Sequence, residues 1–247
     1  MIYTIDSLKN DLISAGISAG DTLLVHSSMK SIGDVENRAD GVITALMEVI
    51  TRDGLLVFPT LSDRYVTRQT PDFNVKTTPC WTGILPELFR KKENVFRSVH
   101  PFHSLSAWGR DAAEFTSGHE RFETAFDRES PWGRLLDRNA KVLLIGVGLT
   151  SATFLHPVEQ WCGVPILSET PELRYIVDDS GKRTPRTVYW HAGAHSENYF
   201  RAEPLLMEHG ALKKIRFGGA ESFLMDCRET FRIMKPVLEE NPHFFAH

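Results

Sequence analysis

VLLIGVGLTSATFLHPVE, residues 142–159, holds an apolar run, a glycine-containing turn and a short hydroxyl-rich segment that leads to His156 and Glu159. An apolar run that stops at glycine is typical of a buried strand. In α/β proteins the loop after such a strand presents its side chains at the carboxyl edge of the sheet. The stretch therefore predicts an α/β fold with His156 and Glu159 at that edge.

Strands and helices are expected to alternate along the rest of the chain. Apolar spacing predicts helices over residues 5–16, 38–50, 81–92, 110–116 and 221–235. Strands are predicted within residues 21–29, 55–60, 104–109, 141–148, 173–177 and 186–190. Residues 61–79 show no period and predict a long surface loop. With no repeat and no linker, the pattern predicts one α/β domain over residues 1–247, with a mostly parallel or mixed sheet covered on both sides.

Composition excludes several classes of protein. Of the 247 residues, 42% are hydrophobic and 24% charged, as in ordinary globular proteins. The net charge of −4 provides no long-range attraction to nucleic acid or anionic lipid. The chain has no membrane-length apolar run and no signal-peptide pattern at its start, and its three cysteines are widely spaced. We therefore expect a cytoplasmic protein without nucleic-acid or membrane partners.

His156 and Glu159 are the main candidates for chemistry. Pro157 disfavours helical backbone at His156 and suits the start of a helix, which places Glu159 in the first turn. A structural histidine followed by a capping glutamate would show the same spacing. The preceding strand, the glycine turn and Thr153 favour a general base, because imidazole titrates near neutral pH and a carboxylate orients it. Metal ligation ranks lower because no third ligand lies close in sequence.

Two further segments are candidates for phosphate binding. LLVHSSMKSIG, residues 23–33, places hydroxyls and backbone N–H groups at a strand end, where they either hold a phosphate or simply cap a helix. RSVHPFHSLSAWG, residues 97–109, offers the donors of Arg97, with His100 and His103 nearby and Ser104 opening a strand. Two histidines and an arginine within seven residues favour a binding role for this segment over core packing.

The remaining polar clusters carry less information. YWHAGAHSENYF, residues 189–200, holds His191, His195 and Glu197, and suits a substrate contact and a solvated turn equally. Cys80 and Cys162 have no adjacent base and are interpreted as passive. No phosphate-binding P-loop, dinucleotide-binding glycine motif or Gly-x-Ser-x-Gly elbow is present. These absences count against a nucleotidase, a dehydrogenase and an α/β-hydrolase.

Six motifs, taken in order, resemble the aminoglycoside 3-N-acetyltransferase family over roughly residues 5–165. The family carries Thr-x-x-His-x-x-Glu after a strand and a glycine turn, which here is Thr153, His156 and Glu159. The resemblance implies a three-layer α/β/α domain with a central mixed, mostly parallel sheet, acetyl-CoA or another acyl-CoA as co-substrate, and a monomer or homodimer. The six motifs are VHSSMKSIG, GLLVFPT, TTPCWTGILPELFR, RSVHPFHSLSAWGR, ESPWGRLL and LLIGVGLTSATFLHPVE.

The resemblance also implies roles for individual residues. His156 would be the general base, Glu159 its partner and Thr153 a candidate donor to the oxyanion, with no metal expected. The residues expected to bind coenzyme A are His26, Ser27, Ser28, Met29, Arg97, Ser98 and Ser104. Those expected to bind the acceptor are His103, Thr150, His195 and Glu197.

Departures from the family pattern concern the acceptor. Thr150 stands where many members have aspartate, AHSENYF replaces an acidic cluster, and the 61–79 loop is shorter than usual. Because aminoglycoside drugs are polycations, fewer acids favour a less cationic acceptor. We therefore predict direct N-acylation of an amino sugar, such as a nucleotide-linked one, with an aminoglycoside as the alternative. Two other classes stay open: a non-catalytic acyl-CoA- or sugar-nucleotide-binding module, and a metal-dependent hydrolase using His103, His156, His191 or His195.

Overall fold

Strands and helices alternate along residues 2–246, the part of the chain that the computed structural model describes. The strands are β1 (Ile2–Tyr3), β2 (Thr22–Ser27), β3 (Asp34–Val35), β4 (Leu55–Pro59), β5 (Asp72–Phe73), β6 (Phe96–Arg97), β7 (Leu105–Gly109), β8 (Lys141–Ile145), β9 (Glu172–Val177), β10 (Arg183–Val188), β11 (Leu212–Phe217) and β12 (Ala220–Asp226). The α-helices are α1 (Ile5–Ser14), α2 (Met29–Ile32), α3 (Arg38–Ile50), α4 (Ile84–Phe89), α5 (Ala112–Thr116), α6 (Pro131–Asp137), α7 (Leu155–Trp161), α8 (Glu203–Glu208) and α9 (Cys227–Glu240). Short 3-10 helices cover His119–Arg121, Leu149–Ser151 and Ser196–Ala202.

A seven-stranded mixed sheet occupies the centre, in the order β11-β12-β8-β2-β4-β7-β6. Strand β2 runs parallel to both β8 and β4, whereas the outer neighbours pair antiparallel. The carboxyl ends of β2, β4 and β8 therefore meet at one edge of the sheet. The predicted α/β fold with a mixed sheet is confirmed, and its parallel part is this three-stranded core.

Helices cover both faces of the sheet, which makes three layers. Leu23 and Val25 of β2 pack with α1, α3 and α4, whereas Leu24 between them packs with α6, α7 and α9. Successive side chains of a strand point to opposite faces, so one apolar run supplies both cores. Strands buried on both faces read as continuous apolar runs, and this is why β8 was recognisable from sequence.

The carboxyl third departs from the sequence prediction. Residues 221–235 were predicted as one helix, but Ala220–Asp226 form β12, and the helix begins only at Cys227. Strand β12 pairs with β11 on one side and β8 on the other, and these long-range hydrogen bonds outweigh local helical spacing. The Asp226 side chain accepts a hydrogen bond from the N–H of Glu229 at 2.8 Å, which caps the following helix.

A second, three-stranded sheet in the order β10-β9-β5 also differs from expectation. The predicted loop over residues 61–79 contains β5, which pairs parallel with β9. The predicted strand over residues 186–190 lies a few residues earlier, as β10. Pairing with a segment about a hundred positions away therefore holds the loop in place. Local periodicity cannot show such long-range pairing.

Gly146 ends β8 with a positive φ of 62° and directs the chain into the loop that carries His156. A Cβ at this position would lie 2.4 Å from the Ser31 Cβ, so both the backbone angle and the close approach require glycine.

We expect Gly146→Ala to lower the free energy of unfolding by about 2–4 kcal/mol, the sum of left-handed strain and overpacking. The matched control is Gly163→Ala, since Gly163 has a similar φ of 76° but nothing within 4 Å of an added Cβ. Strain alone predicts a loss of about 1 kcal/mol there. Urea unfolding of both variants measures the difference, and equal losses would show that the Ser31 contact is unimportant.

Candidate active site

A cavity of about 390 Å³ opens at the carboxyl edge of the parallel strands. His26 and Ser27 at the end of β2, Pro59 at the end of β4, and Thr153 and His156 after β8 all line it. Side chains that follow parallel strands meet at this edge, which is where α/β proteins bind ligands. The sheet edge at which residues 142–159 were predicted to place His156 therefore contains a cavity.

His156, Tyr199 and Glu159 form a hydrogen-bonded network in the wall of this cavity. His156 and Glu159 lie three residues apart on one face of α7, but Nδ1 of His156 is 3.9 Å from the Glu159 carboxylate, too far for a hydrogen bond. The Tyr199 hydroxyl bridges them: it donates to Oε2 of Glu159 and lies 2.7 Å from Nδ1 of His156. Tyr199, from the 3-10 helix 196–202, therefore couples the imidazole to the carboxylate.

The network sets the tautomer of His156. When Glu159 is ionised, Tyr199 donates its proton to the carboxylate and the hydroxyl oxygen accepts from Nδ1–H of His156. The lone pair of the imidazole is then on Nε2, which has no hydrogen bond to any residue between 2 and 246. His156 lines the cavity and thus presents a proton acceptor to a bound molecule.

Burial favours the neutral forms of both titratable partners. It lowers the pKa of His156 to about 3, with a smaller contribution from a charge on His103. It raises the pKa of Glu159 to about 7, although the hydrogen bond from Tyr199 opposes this. At neutral pH the imidazole is unprotonated, as a base must be, and the carboxyl sits near its own midpoint.

Aromatic rings hold His156 in place. Phe126 stacks on it with ring planes 9° apart and centroids 5.6 Å apart. His103 and His191 pack edge-on against each other at 5.2 Å, and both rings lie within 6.4 Å of His156. Burial lowers the pKa of His103 to about 3 and that of His191 well below its usual range. This wall is therefore uncharged at neutral pH.

The structure brings many of the predicted site residues together. The predicted residues that line the cavity are His26, Ser27, His103, Thr150, Thr153 and His156. Ser28 and Met29 follow directly after β2, and Ser28 donates its N–H to the Ile145 carbonyl at 2.8 Å. Glu159 lies behind the wall and reaches the cavity through Tyr199.

Arg97, Ser98 and Ser104 lie outside the cavity lining, and their contact with coenzyme A stays a prediction. The Arg97 guanidinium donates to Oγ of Ser104 at 2.9 Å and to the carbonyls of Thr60 and Thr78 at 2.8 and 2.6 Å. Ser98 and Ser104 are fully buried, and none of the three lines the cavity. The arginine was predicted to bind phosphate, but its donors instead tie loop 61–79 to the sheet edge.

His195 and Glu197, predicted to bind the acceptor, lie beside the cavity rather than on its wall. The two side chains pair with each other, with Nδ1 of His195 3.2 Å from Oε1 of Glu197; Glu197 is exposed and His195 is half-buried. Their neighbours Ala194 and Ser196 do line the cavity. Of this segment, Ser196 and Tyr199 also line the cavity, and a contact of His195 or Glu197 with the acceptor stays a prediction.

Besides Tyr199, sequence reasoning missed other residues that line the cavity, among them Asp63, Trp81 and Trp190. Nε1 of Trp81 donates to Oδ1 of Asp63 at 2.7 Å, and the Arg64 guanidinium covers the Trp81 ring at 3.8 Å. Asp63 lies within the irregular loop 61–79 and Trp81 just after it, where no periodicity marks them. Burial raises the pKa of the Asp63 carboxyl, opposed by the hydrogen bond from Trp81.

Within residues 2–246, no group of three or more His, Cys, Asp or Glu side chains has the arrangement to hold a metal ion. Over the same residues, no helix has both the length and the apolarity to cross a membrane.

The fold and site define an α/β protein with a hydrogen-bonded histidine in a cavity at the carboxyl edge of its sheet. The chain belongs to the aminoglycoside 3-N-acetyltransferase family, whose model matches residues 24–239. The resemblance noted from the sequence motifs is thereby confirmed.

Individual relatives cover the chain to different extents. The SPbeta prophage-derived aminoglycoside N(3')-acetyltransferase-like protein YokD of Bacillus subtilis is 35% identical over 63% of this chain, and the match spans only 64% of that relative's length. Aminoglycoside N(3)-acetyltransferase IV of a Salmonella species is 29% identical over 97% of this chain and 89% of its own length. The solved structure of AAC-IIIb in binary complex with CoASH has a TM-score of 0.87, covers 97% of both chains at 23% identity, and supports the fold.

Proposed function

We propose that this protein transfers the acetyl group of acetyl-CoA to an amine of an aminoglycoside or a related amino sugar. The observation that carries the proposal is the open Nε2 of His156, oriented by Tyr199 and Glu159 in a cavity at the sheet edge. Membership of the family supports acetyl transfer, and the fold shared with AAC-IIIb, solved with CoASH, supports coenzyme A as the carrier. That the chain forms a single domain, and that the protein is a monomer or homodimer, remain predictions.

In the proposed reaction, Nε2 of His156 takes a proton from the acceptor amine as its nitrogen attacks the thioester carbonyl carbon. The new C–N bond forms, and the carbonyl π electrons move onto oxygen. They return as the C–S bond breaks, and coenzyme A leaves as a thiolate that then gains a proton. The imidazolium formed meanwhile is stabilised by the Glu159 carboxylate through Tyr199. Since a thiolate is a good leaving group, no covalent enzyme intermediate is required.

The charge of the side chains that line the cavity bears on which acceptor fits. Asp63 is the one carboxylate among the cavity-lining residues of the described chain, and the four lining histidines are neutral. The family supports an aminoglycoside acceptor better than our original preference, a nucleotide-linked amino sugar. The scarcity of acids keeps the nucleotide-linked sugar as the second candidate, since polycations are best matched by several carboxylates. Either way, Asp63 is the group that would pair with an acceptor ammonium.

We expect Asp63→Asn to raise KM for kanamycin, which carries several amines, by about 10- to 100-fold, the effect of losing one charge-assisted hydrogen bond. Glucosamine has only the amine that reacts, so its KM should change much less. Asp53→Asn is the matched control, because Asp53 is exposed and outside the cavity. Steady-state kinetics measure both values, and an unchanged KM for kanamycin would remove Asp63 from the acceptor site.

The experiment that tests the function is an acceptor panel with acetyl-CoA. Kanamycin, glucosamine and a uridine diphosphate-linked amino sugar are each incubated with the enzyme, with thiol release and product mass as readouts. Acetylated kanamycin supports the aminoglycoside reading, and acetylation of the nucleotide sugar alone supports the second candidate. Absence of thiol release with every amine would contradict both.

A further inference from the structure

His26 is a buried imidazole with an unused nitrogen on the cavity wall. It is 7% exposed, it lies next to last in β2, and its Nε2 is buried with no hydrogen-bond partner in residues 2–246. Buried polar atoms almost always have a partner, so one that does not is a candidate for binding a ligand. Because His26 lines the cavity, we take a molecule bound there as the candidate partner.

At neutral pH His26 is an uncharged hydrogen-bond donor. Burial lowers its pKa to about 3, with a further contribution from a charge on His156. At neutral pH the ring therefore carries a single N–H. No protein hydrogen bond fixes its tautomer, in contrast to His156, so Nε2 is free to carry that hydrogen.

Backbone pairing places His26 beside the loop that carries the base. In the parallel pair of β2 with β8, His26 lies opposite Leu144 and Ser27 opposite Ile145. The chain leaves β8 at Gly146 and reaches His156 through the wall of the same cavity. A charge on His156 lowers the pKa of His26, although no contact between their rings is found in residues 2–246. Both histidines thus line the cavity in which a reacting group would bind.

The other two cavity histidines with an unpaired nitrogen are placed differently. His103 and His191 pack against each other and, with Phe126, surround the His156 ring. They belong to the wall on the base's own side, where the acceptor amine must approach. A donor to the carbonyl oxygen has to come from elsewhere, because the nucleophile and the oxyanion occupy different directions around the carbon.

We propose that His26 donates Nε2–H to the carbonyl oxygen of the bound thioester and stabilises the oxyanion formed when the acceptor nitrogen attacks. This rests on the proposed acetyl transfer and adds a second catalytic residue to it. Charge develops on oxygen as the C–N bond forms and returns as the C–S bond breaks, so His26 exchanges no proton. A neutral imidazole suits this role because it stabilises the oxyanion without transferring its hydrogen.

The kinetic test compares His26→Leu with His26→Gln. We expect His26→Leu to lower kcat by about 10²- to 10³-fold, as loss of one oxyanion donor does. His26→Gln retains a side-chain N–H and should recover at least tenfold of that loss. KM for acetyl-CoA should stay within about twofold in both, which separates oxyanion stabilisation from mere coenzyme A binding. Thermal unfolding confirms that each variant is folded, and His26→Gln keeps the test informative if His26→Leu is not.

A spectroscopic test is independent of the acceptor. A ketone analogue of acetyl-CoA, with CH₂ in place of sulfur and ¹³C in the carbonyl, is bound to each form, and its infrared C=O stretch is recorded. We expect a shift to lower wavenumber in wild type and His26→Gln, and none in His26→Leu. Equal stretches in all three, or failure of the analogue to bind, would overturn the role of His26. A His26-dependent shift without acetylation of any amine would leave that role intact and contradict the proposed acceptor.

Discussion

Replacing His156 by glutamine is expected to lower kcat for acetyl transfer by about 10²- to 10⁴-fold, the range that removal of a general base covers. Glutamine keeps a polar side chain in the wall but has no basic nitrogen to take the amine proton. The effect should appear in kcat at saturating acceptor, since the lost contact is made in the transition state. His209→Gln is the matched control, because His209 is exposed and bonds only to its own helix, at the Leu205 carbonyl.

The pH dependence of kcat/KM tests whether Glu159 is the partner of His156. Burial raises the pKa of Glu159 to about 7, so its stabilising carboxylate is present above that pH and lost below it. We expect kcat/KM to fall as pH drops through about 7, and Glu159→Gln to lower the rate and flatten this limb relative to wild type with the same acceptor. The pKa of His156, about 3, is too low to account for it.

Two comparisons complete this test. Tyr199→Phe removes the bridge between His156 and Glu159 and should reduce kcat by less than His156→Gln does. Glu159→Gln should also raise the thermal stability at pH 8, because a buried carboxylate whose pKa is raised destabilises the folded state when ionised. Wild-type kcat in folded His156→Gln would refute the base assignment.

Acid unfolding is the second large effect, and its cause is a set of buried neutral histidines. Burial lowers the pKa to about 3 for four of them and well below the usual range for the other two. Unfolded histidines titrate near 6.5, so the unfolded chain binds protons that the folded chain refuses. Their stabilisation is therefore complete above pH 6.5 and is lost as the pH falls toward the folded values. Five of the six are buried, namely His26, His100, His103, His119 and His191, and the sixth, His156, has a side chain that is 16% exposed.

Each such histidine removes about 1.4 kcal/mol per pH unit once its unfolded form is protonated, so six remove about 8 kcal/mol per unit below pH 5.5. Protonation of Glu159 acts in the opposite direction, but it is a single group. Because typical stabilities are about 5–15 kcal/mol, we expect the protein to unfold between about pH 5.5 and 4. Urea unfolding at a series of pH values measures the slope.

The buried pair His100 and His119 provides the matched variant. The rings stack at 4.7 Å, with Oγ of Ser98 2.8 Å from Nδ1 of His119 and the Ala125 carbonyl 3.0 Å from its Nε2. Burial keeps His119 neutral by lowering its pKa, although the hydrogen bond to the Ala125 carbonyl opposes this. His100→Gln should reduce the slope by about one proton. The exposed His209→Gln should leave the slope unchanged. A stability that stays constant between pH 7.5 and 5 would rule out this mechanism.

The sequence predicted correctly those elements that depend on residues close together in the chain, and it failed where an element depends on pairing with distant residues. Helix α3 was predicted over the residues it occupies, and β8 was recognised from its apolar run, because both depend on neighbours within a few positions. The strand over residues 220–226 was predicted as helix, since its pairing with β8 links positions far apart in sequence. Arg97 was predicted to bind phosphate because its type and its neighbours said nothing about the carbonyls that surround it.

The sequence by itself determined the α/β alternation, the family and the position of His156 with Glu159 after a buried strand. These depend on local periodicity, on a glycine turn and on i,i+3 spacing, all of which act within one or two turns of chain. Only the tertiary structure decided how the two residues communicate, because Tyr199, forty-three positions from His156, lies between them. It also decided that His26 keeps a buried nitrogen unpaired, since whether a buried atom has a partner depends on every element packed around it.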